Sequence, residues 1–317
     1  MAGVNHEIVP TELAGQRIDN FLIRHLKGVP KTRIYRLLRR GEVRVNGGRI
    51  KPTHRLAAGD RVRIPPVRLA EKDEIPPSNK VIDRLEQSIL LETDRLLVLD
   101  KPSGLAVHGG SGIAYGVIEA LRAMRPQAAF LDLAHRIDRD TSGCLVVAKR
   151  RSTLRALHAL FRDGLVDKQY LVLLHGDIGP EVRRVNAALK VVSAKGGERS
   201  MQVDRSGQMA RTDFIPLERG AGWSLVRAQL HTGRMHQIRA HAQHIGHAVV
   251  MDNRYGDPVA DREWRSLGLR RLFLHAAAIA FSTEATGPVS VSADLPLDLQ
   301  TVLGDLRAHP TNQAESH

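Results

Sequence analysis

The sequence contains a single cysteine, Cys144, few aromatic residues and no long apolar run. One cysteine excludes an internal disulfide framework and is typical of a reducing compartment. Aromatic residues make up only 4% of the chain, which is few for a general single-strand nucleic-acid binder that stacks bases. No apolar run reaches the length of about eighteen residues that predicts a membrane span, and the first residues lack the pattern of a signal peptide. We therefore expect a cytoplasmic protein with no membrane segment.

Acidic residues are outnumbered by basic ones. The 317 residues include 47 Lys and Arg but only 34 Asp and Glu, which gives a net charge of +13. The length predicts two domains, and a hydrophobic fraction of 42% predicts a globular core. A positive charge of this size favours a polyanion as the partner.

Most of the excess charge lies between Arg24 and Arg63, where thirteen basic residues accompany only two acids. This segment contains the side chains that we expect to contact nucleic acid: Arg33, Arg36, Arg40 and Arg44. A basic face of this kind fits a phosphate backbone, although a merely solvated face would show the same charge pattern. From these residues alone, the expected role of the segment is binding.

Local patterns in this basic segment predict a helix followed by a hairpin. Thr32 is the predicted N-cap of the helix and Gly41 ends it. Asn46-Gly47 is a strong signal for a hairpin turn between two short strands. The apolar positions of the helix fall on one face: Ile34, Leu37 and Leu38.

A second stretch, residues 133–149, crowds charged side chains against a predicted strand. The strand is the apolar run from Cys144 to Ala148. The loop before it contains five titratable residues: His135, Arg136, Asp138, Arg139 and Asp140. Burying an unpaired charge is costly, so packing explains this loop poorly, whereas a functional site on a rigid scaffold explains it well. An ordinary surface turn with a solvated ion pair is still an open alternative at this point.

Three other chemistries can be weighed from the residues. Asp138 and Asp140 form a carboxylate pair of the kind that an acid–base glycosidase uses. The flanking arginines favour the ionised form of both, however, and a hydrolase of free sugars gives no reason for the basic segment. Cys144 has no adjacent base and fits a strand core. The glycines after Val107 do not match a phosphate-binding loop, so no nucleotide cofactor is expected.

A cluster of histidines raises the possibility of a metal site, but no HExxH pattern or cysteine pair supports one, and none is expected. The cluster comprises His231, His236, His241, His244 and His247. Thr232 is the predicted cap of a helix that starts after Gly233. On that helix His236, Arg239 and Gln243 would share one face.

Several ordered motifs together resemble the RluA family of pseudouridine synthases. His135-Arg-Ile-Asp-Arg-Asp-Thr-Ser-Gly143 is similar to the family signature HRLD-x-x-TSG. Further motifs follow the family's order and spacing, at residues 101–104, 168–170, 232–239 and 271–276. The departures are Ile137, where Leu is usual, and Met235, where Ser or Thr is usual. The basic segment resembles an S4-type RNA-binding domain.

The resemblance spans residues 12 to 308 and implies an α+β fold. It implies a catalytic domain over residues 85–308, with a mixed, largely antiparallel sheet, and a small S4-like α/β RNA-binding domain over residues 12–66. Residues 67–84 mix charge with proline and show no clear period, so we expect a flexible linker there. Residues 309–317 are expected to be a disordered tail.

The same resemblance implies site residues. Asp138 matches the essential catalytic aspartate, Arg239 the arginine that pairs with it, and Tyr170 the active-site tyrosine. Arg136 matches the arginine that enters the RNA stack when the target base flips out. His135 and Leu274 are expected to line the pocket.

The expected reaction is the isomerisation of uridine to pseudouridine without cofactor or metal. The resemblance is greatest to members that modify large-subunit ribosomal RNA, so 23S ribosomal RNA is the expected partner of a monomeric enzyme. Two alternatives stay open: a synthase for other RNA uridines, and a non-catalytic RNA-binding protein of ribosome assembly.

Overall fold

The computed structural model describes residues 4–26, 28–67, 76–110, 113–193 and 199–308. The chain divides into two compact units, one ending at Glu74 and the other beginning at Ile75. The predicted boundaries at residues 66 and 85 stay predictions, and the predicted tail, residues 309–317, lies outside the described residues.

The N-terminal unit is a small α/β module. Its helices are α1 (Ile18–His25) and α2 (Lys31–Arg40). Its strands are β1 (Asn5–Ile8), β2 (Arg44–Val45), β3 (Gly48–Arg49) and β4 (Arg61–Ile64), and they form one antiparallel sheet in the order β1-β4-β2-β3. The apolar face of α2 is buried as the periodicity predicted: Ile34, Leu37 and Leu38 are at most 6% exposed.

The ends of α2 agree only partly with the sequence. Gly41 terminates the helix in the left-handed conformation, with φ of 68°, as expected for a C-terminal glycine. The predicted N-cap at Thr32 is wrong, because the helix already begins at Lys31 and Pro30 occupies the cap. A proline fixes φ near the helical value and lacks the N–H that a helix start leaves unsatisfied, so Pro30 can precede α2 without a side-chain cap.

The linker prediction is wrong over residues 79–84. A helix, α3 (Asn79–Gln87), begins there, and its Leu85 is completely buried. Val81 and Leu85, one turn apart, pack into the core of the second unit, which explains why a charged segment folds. Residues 68–75 of the predicted linker lie outside the described part of the chain.

The second unit has a ten-stranded sheet flanked by helices. Beyond α3 its helices are α4 (Val117–Met124), α5 (Arg151–Asp163), α6 (Gln237–His244), α7 (Asp261–Ser266) and α8 (Leu297–Ala308). The strands of the sheet are β5 (Ile89–Glu92), β6 (Leu96–Lys101), β7 (Asp132–Leu133), β8 (Ser142–Ala148), β9 (Asp167–His175), β10 (Arg183–Asn186), β13 (Arg211–Gly220), β14 (Trp223–Leu230), β15 (Leu274–Thr283) and β16 (Gly287–Ser292). A separate hairpin consists of β11 (Leu189–Ser193) and β12 (Arg199–Val203).

The main path of the sheet runs β10-β13-β14-β9-β15-β8-β6-β5, with β16 on β15 and β7 on β8. Among these described strands only β8 and β15 pair in parallel, so the expected mixed and largely antiparallel sheet is confirmed. The parallel contact is short and joins Ser142 and Gly143 to His275 and Ala276.

Strand β8 lies at the centre of the core. All seven of its residues are buried, as its continuous apolar run predicted. Leu145 and Val147 face one hydrophobic cluster, while Val146 and Ala148 face another on the opposite side of the sheet. The loop that enters β8 is therefore anchored on a rigid strand. Within the described ranges, no helix is long and apolar enough to cross a membrane.

Candidate active site

The loop between β7 and β8 carries Asp138, and its N-terminal side is fixed by His135. The backbone N–H of Val146 donates a 3.0 Å hydrogen bond to Nε2 of His135, and the imidazole stacks on Phe161 with ring centroids 4.8 Å apart. Burial, aided by the charge of Lys168, lowers the pKa of His135 to about 3. The imidazole is thus neutral at physiological pH, as its acceptor role requires.

Lys101, which is fully buried, supports the same loop through hydrogen bonds. Its ammonium donates to the backbone carbonyls of Pro102, Leu105 and Arg139 at 2.8–3.0 Å. Burial lowers the pKa of Lys101 to about 7, and the charges of Asp140 and Asp138 act against this shift. The Lys101-Pro-Ser-Gly104 motif therefore supports the backbone next to Asp138.

Arg239 is the partner of Asp138, as the resemblance implied. Its Nη1 donates to Oδ2 of Asp138 at 3.2 Å, and the side chain is only 6% exposed. Burial acts against the charged form, but hydrogen bonds and charge from Asp252 and then Asp138 raise the pKa of Arg239. The guanidinium is therefore permanently positive beside the Asp138 carboxylate.

Asp252 is a site residue that the sequence analysis missed. It is fully buried and accepts two 2.7 Å hydrogen bonds, from Nε and Nη2 of Arg239. Its Oδ1 also accepts the backbone N–H groups of Arg254 and Tyr255. The available signal was an aspartate in a turn-like run, Asp252-Asn-Arg-Tyr-Gly256, which indicates a turn and does not identify the partner.

The start of α6 differs from the prediction. The helix begins at Gln237 and not after Gly233, and Thr232 does not cap it. The Thr232 hydroxyl instead donates to the side-chain oxygen of Gln237 at 2.7 Å, and the backbone N–H of Arg234 donates to the same oxygen. His236 precedes the helix in a left-handed conformation.

The predicted shared face of this segment is confirmed only in part. His236 and Arg239 both face Asp138, although His236 precedes the helix. Gln243, one turn beyond Arg239, is exposed and does not reach the site. The residue that matters for the site, Arg239, is nevertheless on the side that points toward Asp138.

A cavity of about 510 Å³ opens beside Asp138. Tyr170 on β9 and Leu274 at the start of β15 lie in its wall, and both are at most 8% exposed. Burial and the nearby charge of Asp138 raise the pKa of Tyr170, so its phenol is neutral. His135 and Arg136 line the same cavity, and Arg136 is exposed. The structure thus brings together the catalytic-domain residues to which the resemblance assigned a site role.

The four arginines expected to contact RNA belong to the N-terminal unit. Arg36 and Arg40 are exposed on α2, and Arg33 is partly buried. The guanidinium of Arg44 donates to the backbone carbonyls of Gly41 and Gly47, and so it also stabilises the hairpin.

The histidines singled out as a possible metal cluster have separate partners. His231 contacts Asp213 at 2.9 Å, His241 contacts the hydroxyl of Thr212, and His247 contacts the backbone of His175. In the described part of the chain, no group of three or more His, Cys, Asp or Glu is placed to hold a metal ion.

Cys144 is buried in β8, and burial raises its pKa to about 12. A thiol with such a pKa is protonated at physiological pH and is a poor nucleophile.

The arrangement combines an ionisable carboxylate, a fixed cation and a mostly apolar cavity with an aromatic wall. A planar base would fit against Tyr170 and Leu274, while Asp138 and Arg239 would lie at its sugar. This geometry suits a reaction in which a carboxylate acts on a substrate that carries a planar group.

Comparison with known proteins identifies the families to which the two units are similar. Residues 95–244 match the RNA pseudouridylate synthase family model, and residues 16–62 match the S4 domain model. The chain is 52% identical over 294 residues to "Ribosomal large subunit pseudouridine synthase C" of Escherichia coli strain K12, an alignment that covers 92% of each chain. The protein of the same description from Pasteurella multocida is 51% identical over 297 residues, covering 93% of this chain and 91% of that protein.

A solved structure, "Human RNA Pseudouridylate Synthase Domain Containing 4", superposes with a TM-score of 0.60 at 25% identity. It covers 72% of this chain and 96% of its own. Sequence, fold and site geometry all lead to one assignment, and the chain belongs to the family of RNA pseudouridine synthases.

Proposed function

We propose that this enzyme isomerises uridine to pseudouridine at defined positions of 23S ribosomal RNA. The observation that carries the proposal is the Asp138 carboxylate, held 3.2 Å from the Arg239 guanidinium at the mouth of the cavity that Tyr170 and Leu274 line. The names of the relatives, which refer to the large ribosomal subunit, support the choice of RNA.

The reaction breaks the N1–C1′ bond, turns the uracil, forms the C5–C1′ bond and moves the C5 proton to solvent while N1 gains one. Reactant and product are isomers, so the balance requires no oxidant and no donor. An ionised carboxylate beside the ribose is common to attack at C1′, addition to the base and removal of the 2′ proton. In this proposal that carboxylate is Asp138.

Arg239 keeps Asp138 oriented, and Asp252 keeps Arg239 oriented through its two short hydrogen bonds. Tyr170 stacks on the uracil as a neutral phenol, and Leu274 on the neighbouring strand adds apolar surface to the same cavity, so the freed base stays there between the two bond changes. His135 acts by holding the loop, through the backbone of Val146.

The uridine must leave the RNA stack to reach this cavity, which costs unstacking energy. Arg136 is exposed at the rim of the cavity, and a planar guanidinium can stack in the space that the flipped base vacates. We assign Arg136 this role.

The N-terminal unit supplies salt-dependent affinity through Arg33, Arg36, Arg40 and Arg44, and residues 85–308 select and convert the uridine. We also propose that the enzyme is monomeric. We place it in the cytoplasm, in keeping with its single reduced cysteine.

The test is carbodiimide-adduct primer extension along unmodified 23S ribosomal RNA after incubation with wild-type protein or with Asp138→Asn. We expect new stops with the wild type and none with the variant. Asp140→Asn is the matched control. Asp140 lies two residues after Asp138 but pairs with the adjacent Arg139, so this variant should keep the stops.

Stops with Asp138→Asn would show that Asp138 is not the catalyst. Stops on 16S or transfer RNA alone would mean that the enzyme modifies other RNA uridines and not those of 23S ribosomal RNA. Tight binding to all of these RNAs without any stop would favour the alternative of a non-catalytic protein of ribosome assembly.

A further inference from the structure

His236 has an unusual backbone conformation next to the catalytic carboxylate. Its φ is 50° and its ψ is 24°, in the left-handed region that a residue with a Cβ rarely adopts. This conformation carries backbone strain, and such strain is concentrated at functional sites. The strain places the imidazole in the wall of the Asp138 cavity.

Hydrogen bonds determine which nitrogen of His236 carries the proton. The backbone N–H of Met201 donates to the Tyr255 hydroxyl at 2.7 Å, and this hydroxyl lies 2.9 Å from Nδ1 of His236. Among the described residues, Nδ1 of His236 is the acceptor for the proton of the Tyr255 hydroxyl. The neutral imidazole therefore carries its own proton on Nε2. Burial lowers the pKa of His236 against the opposing charge of Asp138, which favours this neutral form.

The Nε2–H faces Asp138 without bonding to it. Nε2 lies 3.8 Å from Oδ2 of Asp138, which is beyond hydrogen-bond distance, and the two side chains are 14% and 20% exposed. Both side chains line the cavity, so the Nε2–H donor of His236 and the carboxylate acceptor of Asp138 lie next to each other in the wall of the substrate space.

The chemistry of this pair restricts what can bind between them. A hydroxyl group can donate to the carboxylate and accept from Nε2–H at the same time. A phosphate oxygen can only accept, and Asp138 would repel it. The edge of uracil also has donors and acceptors, but the proposed function places the base against Tyr170 and Leu274. The hydroxyl nearest to the reacting carbon of the nucleotide is the ribose 2′-hydroxyl.

We propose that His236 and Asp138 together bind the 2′-hydroxyl of the target uridine, so that His236 is a specificity-determining residue that distinguishes ribose from deoxyribose. The inference rests on the proposed function, because it places the target ribose at Asp138. The 2′-hydroxyl is also the group by which a protein can tell RNA from DNA at a single nucleotide.

The experiment uses two full-length substrate RNAs that differ only at the target nucleotide, which is uridine in one and 2′-deoxyuridine in the other. Single-turnover rates and dissociation constants are measured for wild type, His236→Asn and His244→Asn. Asparagine tolerates the left-handed backbone and its amide is too short to reach the 2′-hydroxyl. His244 is exposed at the end of α6 and serves as the matched control.

We expect wild type and His244→Asn to prefer the ribose substrate about tenfold, the loss that one or two hydrogen bonds produce. His236→Asn should reduce this preference to within about twofold. Any general effect of the deoxy sugar on RNA conformation is common to all variants and cancels in the comparison.

An unchanged preference in His236→Asn, with both rates reduced by the same factor, would overturn the inference and would indicate a contact to the base or a structural role. Tyr255→Phe is a second variant. It removes the hydroxyl proton donated to Nδ1 but keeps the ring beside Arg239, and it should reduce the preference as well. Absence of pseudouridine from the ribose substrate with wild type would refute the proposed function, whereas equal binding of the two RNAs would refute only this inference.

Discussion

The guanidinium of Arg239 divides its donors between two carboxylates. Nε and Nη2 form a bidentate pair with Asp252 at 2.7 Å, whereas Nη1 reaches Asp138 at 3.2 Å. Bidentate pairs are the stronger and more directional kind. Asp252 therefore fixes the orientation of the arginine, and the longer contact leaves Asp138 accessible to substrate.

The substitution Asp252→Asn should weaken both the fold and the reaction. Breaking a buried ion pair leaves an uncompensated charge and costs about 3 kcal/mol in the free energy of unfolding. We expect the single-turnover rate at saturating RNA to fall by at least about tenfold, while the RNA dissociation constant changes little, because Asp252 does not face the cavity.

Urea unfolding and single-turnover assays measure these two effects. Asp177→Asn, which breaks an exposed pair with Arg219, should change neither and is the control. A single-turnover rate equal to that of wild type in Asp252→Asn would mean that Asp138 and the helix backbone orient Arg239 without the Asp252 carboxylate.

His135 should make the protein acid-sensitive. Its pKa is about 3 in the folded chain and 6.5 in the unfolded reference, so between these pH values the unfolded chain binds the additional proton. Stability is complete above pH 6.5 and falls with pH toward 3, by up to about 1.4 kcal/mol per pH unit from this group.

The variant His135→Gln keeps an acceptor for the Val146 N–H but does not titrate. Urea unfolding at pH 7, 6, 5 and 4 should therefore show a shallower decline for the variant than for wild type. Equal slopes for the two proteins would exclude His135 as a source of acid sensitivity.

Among the elements, β8 depends on one glycine at its parallel contact with β15. Gly143 has φ of 106°, and a Cβ there would lie close to the backbone of Ala276, 2.7 Å from its carbonyl carbon. The substitution Gly143→Ala combines backbone strain with a clash, and we expect a loss of about 3 kcal/mol or more in unfolding free energy.

Gly268→Ala isolates the contribution of the backbone. Gly268 has φ of 87° with nothing within 4 Å of the added Cβ, so its substitution should cost only about 1 kcal/mol. Urea unfolding compares the two variants. A similar loss in both would show that β8 and β15 can move apart to accept a methyl group.

Elements with a local signal were predictable and those fixed by distant partners were not. The apolar run from Cys144 to Ala148 lies within β8 and ends where its pattern predicted, and Gly41 ends its helix as expected. The start of α6 was predicted wrongly because the side-chain oxygen of Gln237 accepts hydrogen bonds from the Thr232 hydroxyl and from the backbone N–H of Arg234. These are the groups that a helix starting after Gly233 would have used for its cap and its first turn. No periodicity relates Asp252 to Arg239, since one lies in a turn and the other on a helix.

At the scale of the whole molecule, positive charge is concentrated in one unit and the reacting groups are in the other. The segment from Arg24 to Arg63 has a net charge of +11, out of +13 for the whole chain. Phosphate contacts release counterions, so the loss of this segment should reduce the dependence of affinity on salt.

Deletion of residues 1–66 should weaken RNA binding more than chemistry. We expect a shallower slope of log affinity against log salt concentration and a higher dissociation constant. The single-turnover rate on saturating RNA should stay within a few-fold of wild type. Filter binding at several salt concentrations and a saturating rate assay measure both. A rate that collapses at saturation would show that the N-terminal unit takes part in arranging the site.

The parallel pairing of β8 with β15 also has a consequence for biosynthesis. Ser142 and its hydrogen-bond partner His275 are 133 residues apart in the chain. A nascent polypeptide therefore carries its catalytic loop outside the ribosome long before the strand that anchors it has been translated. Contacts between such distant segments form late in folding. We therefore expect activity to appear only when synthesis is nearly complete, whereas the N-terminal unit, which we propose binds RNA, is translated much earlier.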